Sequence, residues 1–74
     1  MTARPSFPPG ASYTETRDGN YSIRATITAP SEAECRAARD WYEDRWLGYS
    51  CSLGSPYHMP DGKWVCTGTR ADAC

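Results

Sequence analysis

The sequence predicts a small α+β fold of the order ββαββ(β), an antiparallel sheet with one helix packed on one face. Three observations lead to it: two β-prone runs on either side of Asp18-Gly19, a capped amphipathic segment after Pro30, and alternating apolar residues after Gly48. A chain of 74 residues buries only roughly 60% of its extended surface on folding, so the core is thin. Aromatic side chains are expected to supply much of that core.

The chain reads as one domain with short ends. Residues 1–12 carry three prolines and form an N-terminal arm, residues 13–68 form the α+β domain, and residues 69–74 form a polar tail. The expected core consists of Tyr21, Ile23, Ile27, Ala38, Trp41, Tyr42, Tyr49 and Leu53.

The first two strands form a hairpin around a two-residue loop. In this register Thr16 faces Tyr21. The surface turned to the helix then holds Tyr21, Ile23, Ala25 and Ile27, and the open surface holds Tyr13, Glu15, Ser22, Arg24, Thr26 and Thr28. Shifting the register by one residue would put Glu15 and Arg17 beside the apolar residues, which is costly without partners.

The helix is expected to run for about four turns between Ser31 and Gly48. Ser31 and Glu34 form a capping box, and Gly48 suits a left-handed residue at the carboxyl end. The face that packs on the sheet consists of Cys35, Ala38, Trp41, Tyr42 and the flank of Trp46.

The carboxyl-terminal part contains two further strand signals. Tyr49, Cys51 and Leu53 alternate with serines, and residues 63–67 follow the turn Pro60-Asp61-Gly62. The last strand pairs either with residues 49–53 or with residues 57–59, and the pattern does not choose between them.

Composition and charge exclude several function classes. A net charge of −1 provides no field for nucleic acid, and no apolar run is long enough to span a membrane. The start MTARPSFPPG lacks the apolar stretch of a signal peptide, so we expect a cytoplasmic protein with free thiols. No cysteine pair has the close spacing of a zinc site, and we expect neither metal nor cofactor. If a disulfide formed, the strand residues Cys51 and Cys66 would be its partners.

No constellation indicates an enzyme. His58 with a cysteine is the one conceivable nucleophilic pair, and it lies in a proline-rich loop without an orienting acid. Three surfaces indicate binding instead: the acidic outer face of the helix, the aromatic residues of the late strands, and the open sheet face. The partner-binding residues predicted on them are Asp40, Glu43, Asp44, Tyr57, Trp64, Tyr13 and Arg24.

Two segments carry a resemblance to a known group. The helix entry A-P-S-E-A-E and the run Asp61-Gly62-Lys63-Trp64-Val65-Cys66, in a chain of this order of parts, resemble the small anti-CRISPR proteins of phages and mobile elements, in the style of type I inhibitors. The resemblance implies a non-enzymatic inhibitor in the host cytoplasm. Such an inhibitor binds a CRISPR effector, a large protein or ribonucleoprotein complex, and blocks DNA access or nuclease recruitment.

Two alternatives come from other classes. A nucleic-acid-binding module would use Tyr13, Arg17, Arg24 and Arg70 on the open sheet face, as single-strand binders combine aromatic residues with arginine. A secreted inhibitor stapled by disulfides would account for the four cysteines.

Overall fold

One helix packs on one face of a five-stranded antiparallel sheet in the computed structural model, which describes residues 6–72. The elements are β1 (Ser12–Arg17), β2 (Ser22–Ala29), α1 (Glu32–Arg45), β3 (Ser52–Leu53), β4 (Tyr57–His58) and β5 (Trp64–Ala71). The predicted α+β class and order of elements are confirmed. Cys74, one of the four cysteines that the sequence predicts to be free thiols, lies outside the described residues.

The strand β5 is the centre of the sheet. It pairs with β2 along one edge, while β3 and β4 share its other edge. Leu53 faces Gly68 and Tyr57 faces Val65. Both pairings that the sequence left open therefore occur, at different positions along β5. The strand also continues to Ala71, because the eight residues of β2 offer it partners over its full length, so residues 69–71 belong to the sheet and not to a tail.

The helix agrees with the sequence-based prediction. Ser31 is the N-cap, and its hydroxyl oxygen accepts a hydrogen bond from the Glu34 amide at 3.2 Å. Gly48 has φ +92°, the left-handed conformation that glycine adopts without strain. The residues of α1 that are fully buried are Cys35, Ala38 and Tyr42. The predicted packing face is confirmed.

The hairpin register differs from the predicted one. The loop holds residues 18–21, the Asp18 amide donates to the Ser22 carbonyl at 2.9 Å, and Thr16 faces Arg24 rather than Tyr21. Because alternate residues share a face, Tyr13 and Glu15 now lie on the helix side of the sheet. The predicted register is wrong because it was chosen to keep the charge of Glu15 away from the helix side. In the structure Glu15 has hydrogen-bonding partners on that side, Tyr42 and Arg70.

The core is built from small residues around one large ring. The buried cluster consists of Ala25, Ile27, Ala29, Cys35, Ala38, Tyr42, Leu53 and Cys66. Of the predicted core, Ile27, Ala38, Tyr42 and Leu53 are confirmed, and Ile23 and Trp41 are half-buried. Tyr21 and Tyr49 are instead exposed, because the first lies in the hairpin loop and the second precedes the short β3.

Gly68 allows β3 to approach β5 closely. A Cβ atom added at Gly68 would lie 2.5 Å from the Cα of Leu53 and would also collide with the Ser52 carbonyl oxygen. Both obstacles are backbone atoms, so a side chain at this position forces the two strands apart.

We therefore expect Gly68→Ala to lower the free energy of unfolding by at least about 3 kcal/mol, measured by urea denaturation. Gly54→Ala is the matched control, because its added Cβ meets the Thr67 carbonyl oxygen at an ordinary 3.6 Å. Equal stability of the two variants would show that β3 does not approach β5 at Gly68.

Candidate functional site

A partly buried polar network joins β1, α1 and β5. The Tyr42 hydroxyl donates to Oε2 of Glu15 at 2.5 Å, and Nη2 of Arg70 donates to the same oxygen at 2.8 Å. Nε of Arg70 also donates to the Tyr42 hydroxyl oxygen at 2.8 Å. The Arg70 guanidinium carbon lies 3.5 Å from the centroid of a Trp46 ring, which adds a cation–π interaction. Every charged group of the network thus has a partner.

The network holds its members in their usual charge states. Burial opposes the charge of Glu15, but hydrogen bonds from Tyr42 and Arg70 outweigh it and lower the pKa of Glu15 below its usual 4.5. Burial and the hydrogen bond to Glu15 raise the pKa of Tyr42. The pKa of Arg70 is raised because its bonds to Glu15 and Tyr42 outweigh the effect of burial. None of these shifts moves a group toward titration at neutral pH, so Glu15 and Arg70 stay charged and the Tyr42 hydroxyl keeps its proton.

The end of β5 positions two tyrosines beside this network. The Ala71 amide donates to the carbonyl of Tyr49 at 2.7 Å, and the Asp72 amide donates to the carbonyl of Tyr21 at 2.9 Å. Asp72 also forms an ion pair with Arg17 at 2.8 Å. Two consecutive amides therefore hold the hairpin loop and the loop after α1 on the two sides of one strand.

These loops carry several exposed apolar side chains. Tyr21, Leu47 and Tyr49, here called the tyrosine end, are 74%, 79% and 39% exposed and are three of the five large apolar residues that the described chain exposes. Ser50, directly after them, has φ +53°, a strained value for a residue with a side chain. Strain of this kind persists where the surrounding structure imposes it, and it often marks a functional segment.

A row of aromatic rings runs from Tyr49, beside the carboxyl-terminal part of α1, to Phe7. Successive ring centroids lie 4.9 to 6.5 Å apart along Phe7, Trp41, Tyr13, Tyr42, Trp46 and Tyr49. The Arg45 guanidinium lies 5.9 Å from the Trp41 ring and 5.7 Å from the Trp46 ring. Tyr49 is thus supported by packed rings on its inner side.

The predicted acidic residues of the helix do not all remain free. Asp40 and Asp44 are exposed on the outer face of α1. Glu43 is half-buried, and its carboxylate accepts a hydrogen bond from the Leu53 amide at 3.2 Å. Glu43 therefore links α1 to β3. Of the three predicted acids, Asp40 and Asp44 are the two that remain exposed on the outer face of the helix.

The other predicted partner-binding residues lie on separate surfaces. Tyr57 is 48% exposed on β4, and Trp64 is half-buried and stacks on His58 at 4.8 Å. Tyr13 lies on the helix side, whereas Arg24 lies on the open sheet face, 3.3 Å from Asp18. Tyr13 and Arg24 were predicted to share a face, and the observed register separates them.

The same register divides the residues of the nucleic-acid alternative between the two faces of the sheet. Of its four residues, Tyr13, Arg17 and Arg70 lie on the helix side, and Arg70 is 8% exposed. Arg17 is bound to Asp72, so Arg24 alone occupies the open face. The four residues therefore do not share one face of the sheet.

Sequence reasoning missed Tyr21 and Leu47 as binding residues, while Tyr49 was predicted both in the core and in the aromatic set near the late strands that indicated binding. Tyr21 and Tyr49 were assigned to the core, and Leu47 was treated as the last apolar residue of the helix. A usable signal was the pair of glycine-containing turns, since Gly19 precedes Tyr21 closely and Gly48 separates Leu47 from Tyr49.

Comparisons of the chain with protein-family models, with curated proteins and with solved structures give no match. Within residues 6–72, no three metal-ligating side chains lie together. No helix in that range is long and apolar enough to cross a bilayer. Function is therefore inferred from the residues of the chain itself.

The network predicts acid sensitivity. Because the pKa of Glu15 is lower in the folded than in the unfolded chain, its ionisation stabilises the fold above about pH 4.5, and this contribution is lost as the pH falls through the folded pKa. We expect Glu15→Gln to lower the Tm at neutral pH and to flatten the loss of Tm below about pH 5. Glu32→Gln, at an exposed helix position, should keep the wild-type slope; parallel curves for Glu15→Gln and wild type would refute the role of Glu15.

Exposure of the tyrosine end predicts tolerance to truncation. Tyr21→Ala and Leu47→Ala should each change the free energy of unfolding by less than about 0.5 kcal/mol, since neither side chain is packed. Tyr42→Ala, by contrast, removes a fully buried ring and should cost about 3 to 5 kcal/mol. If Tyr21→Ala lowered the free energy of unfolding as much as Tyr42→Ala, Tyr21 would have to be a core residue.

Proposed function

We propose that this protein binds a large protein or ribonucleoprotein assembly stoichiometrically and without catalysis, through the tyrosine end. The observation that carries the proposal is that the two loops whose backbones are bonded to the end of β5 carry three exposed apolar side chains. The buried cluster is continuous without any of them, so none is needed for the core. Exposed tyrosines of this kind commonly anchor a protein partner.

The backbone of this surface is ordered before any partner arrives. The carbonyls of Tyr21 and Tyr49 are bound to β5, and the Tyr49 ring packs edge-on against Trp46 at 5.3 Å. Tyrosine also offers a large amphipathic contact with few rotatable bonds. Both features reduce the entropy lost on binding. They support the interpretation that these side chains are exposed in order to contact a partner.

The specific form of the proposal is an inhibitor of a CRISPR effector complex, acting in the cytoplasm of a phage's host. Its support is the resemblance of the helix entry at Ser31 and of residues 61–66 to small anti-CRISPR proteins. The near-neutral charge favours steric blocking over imitation of DNA. Asp40 and Asp44, which are exposed on α1, would then assist the encounter and not supply most of the affinity.

Binding to purified type I and type II effector complexes tests the proposal, with complex formation and target-DNA binding as readouts. We expect Tyr21→Ala/Tyr49→Ala to weaken association at least about tenfold, mainly through faster dissociation. Tyr57→Ala is the matched comparison, since it removes from β4 a tyrosine whose exposure lies between those of Tyr21 and Tyr49. Weakening by Tyr57→Ala alone would instead place the interface at the β4 edge and contradict the tyrosine end.

Charge reversal on the helix distinguishes electrostatic steering of the encounter from direct contact with the partner. Asp40→Lys/Asp44→Lys should slow association and change its salt dependence, while the dissociation rate stays near that of the wild type. If no effector complex binds and the protein instead retains single-stranded RNA or DNA at physiological salt, the inhibitor proposal fails and a nucleic-acid module takes its place.

A further inference from the structure

Two buried cysteines face each other between the helix and the sheet. Sγ of Cys35 on α1 lies 3.6 Å from Sγ of Cys66 on β5, and both residues are fully buried. Their positions are 31 residues apart in the chain. Cys51 is the third cysteine within residues 6–72. It is half-buried and forms no hydrogen bond with Cys35 or Cys66. The sequence favoured Cys51 as the partner of Cys66, whereas the fold places Cys35 there.

The geometry points to Cys35 and Cys66 as an internal disulfide site that closes when the chain folds in the presence of a disulfide oxidant such as oxidised glutathione. One sulfur–sulfur bond forms between the two residues, and each thiol loses its proton. The two electrons reduce the disulfide of oxidised glutathione to two glutathione thiols. The described structure is the dithiol form of this site.

Little movement separates the dithiol from the disulfide. A disulfide bond is about 2.05 Å long, so the two sulfurs, 3.6 Å apart, must approach by about 1.5 Å. The Cys35 side chain is fixed by the buried face of α1, and that of Cys66 by the central strand. Because the fold already holds the two thiols in contact, closing the bond should favour the native state over the unfolded chain.

Burial also explains how the dithiol persists once folded. Burial and the hydrogen bond from Cys35 raise the pKa of Cys66 to about 12, and the thiolate is the form that attacks a disulfide. Exchange is therefore slow in the closed molecule and proceeds while the chain folds or transiently opens. Thiols kept reduced during folding stay reduced, whereas folding in an oxidising compartment yields the cross-link.

The equilibrium constant for disulfide formation tests this inference independently of any partner. In Cys51→Ser/Cys74→Ser, which retains the two buried cysteines, the protein is equilibrated with glutathione redox buffers, quenched, alkylated and weighed. We expect the constant to be roughly 100- to 500-fold larger in native buffer than in denaturing urea, as loop closure over this separation implies. An equal or smaller constant in native buffer would overturn the site.

Peptide mapping of the wild type supplies the second arm and avoids dependence on a variant. After refolding with oxidised glutathione and digestion without reductant, the cross-linked peptides should contain Cys35 and Cys66. Cys35→Ala, the matched control, should abolish that cross-link. A bond between Cys51 and Cys66 in the wild type would contradict the proposed pairing.

Discussion

The hydrogen-bonded ion pair between Glu15 and Arg70, closed by the Tyr42 hydroxyl, is the constraint on which the rest of the structure depends. Glu15 lies on an edge strand with its side chain turned toward the helix, a position that an unpaired carboxylate would not occupy. Its pairing fixes β1 against β2, brings Tyr13 beside Trp41, and moves Tyr21 out of the strand into the loop. Arg70 also precedes the two amides that hold Tyr49 and Tyr21, so a single network determines both the register and the tyrosine end.

The magnitudes explain why this register wins over the predicted one. A buried ion pair adds little net stability compared with apolar packing, but removing one partner of such a pair costs about 3 to 5 kcal/mol when the other stays buried. Glu15 is partly exposed, which reduces this figure, whereas Arg70 is nearly covered. In the predicted register Glu15 would point to the open face and leave Arg70 uncompensated. The cost of leaving Arg70 without a partner exceeds the differences of about 1 kcal/mol between residues in strand propensity. The network therefore acts chiefly by destabilising the alternative register.

The parts of the fold that could be predicted from the sequence are those decided by neighbouring residues. The cap at Ser31, the packing face of α1 and the glycine that follows it depend on spacings of a few residues, and the structure confirms them. The hairpin register depends on a residue 55 positions away from Glu15, which no local pattern reveals. The exposure of Tyr21 and the Cys35–Cys66 contact also depend on long-range packing, which local patterns do not reveal. Sequence reasoning therefore found the elements and the packing face of α1, but not the hairpin register or the exposure of Tyr21.

The most direct test of this account is the register of the hairpin, measured by cross-strand nuclear Overhauser effects between Hα protons. Because the Asp18 amide bonds to the Ser22 carbonyl, the pairs Tyr13 with Ile27, Glu15 with Ala25, and Arg17 with Ile23 are the non-hydrogen-bonded pairs of β1 and β2. Their Cα atoms lie about 4.5 Å apart, which brings the Hα protons close together. The account predicts strong effects for these three pairs. An effect between the Hα protons of Thr14 and Ile23, as the two-residue loop requires, would contradict it.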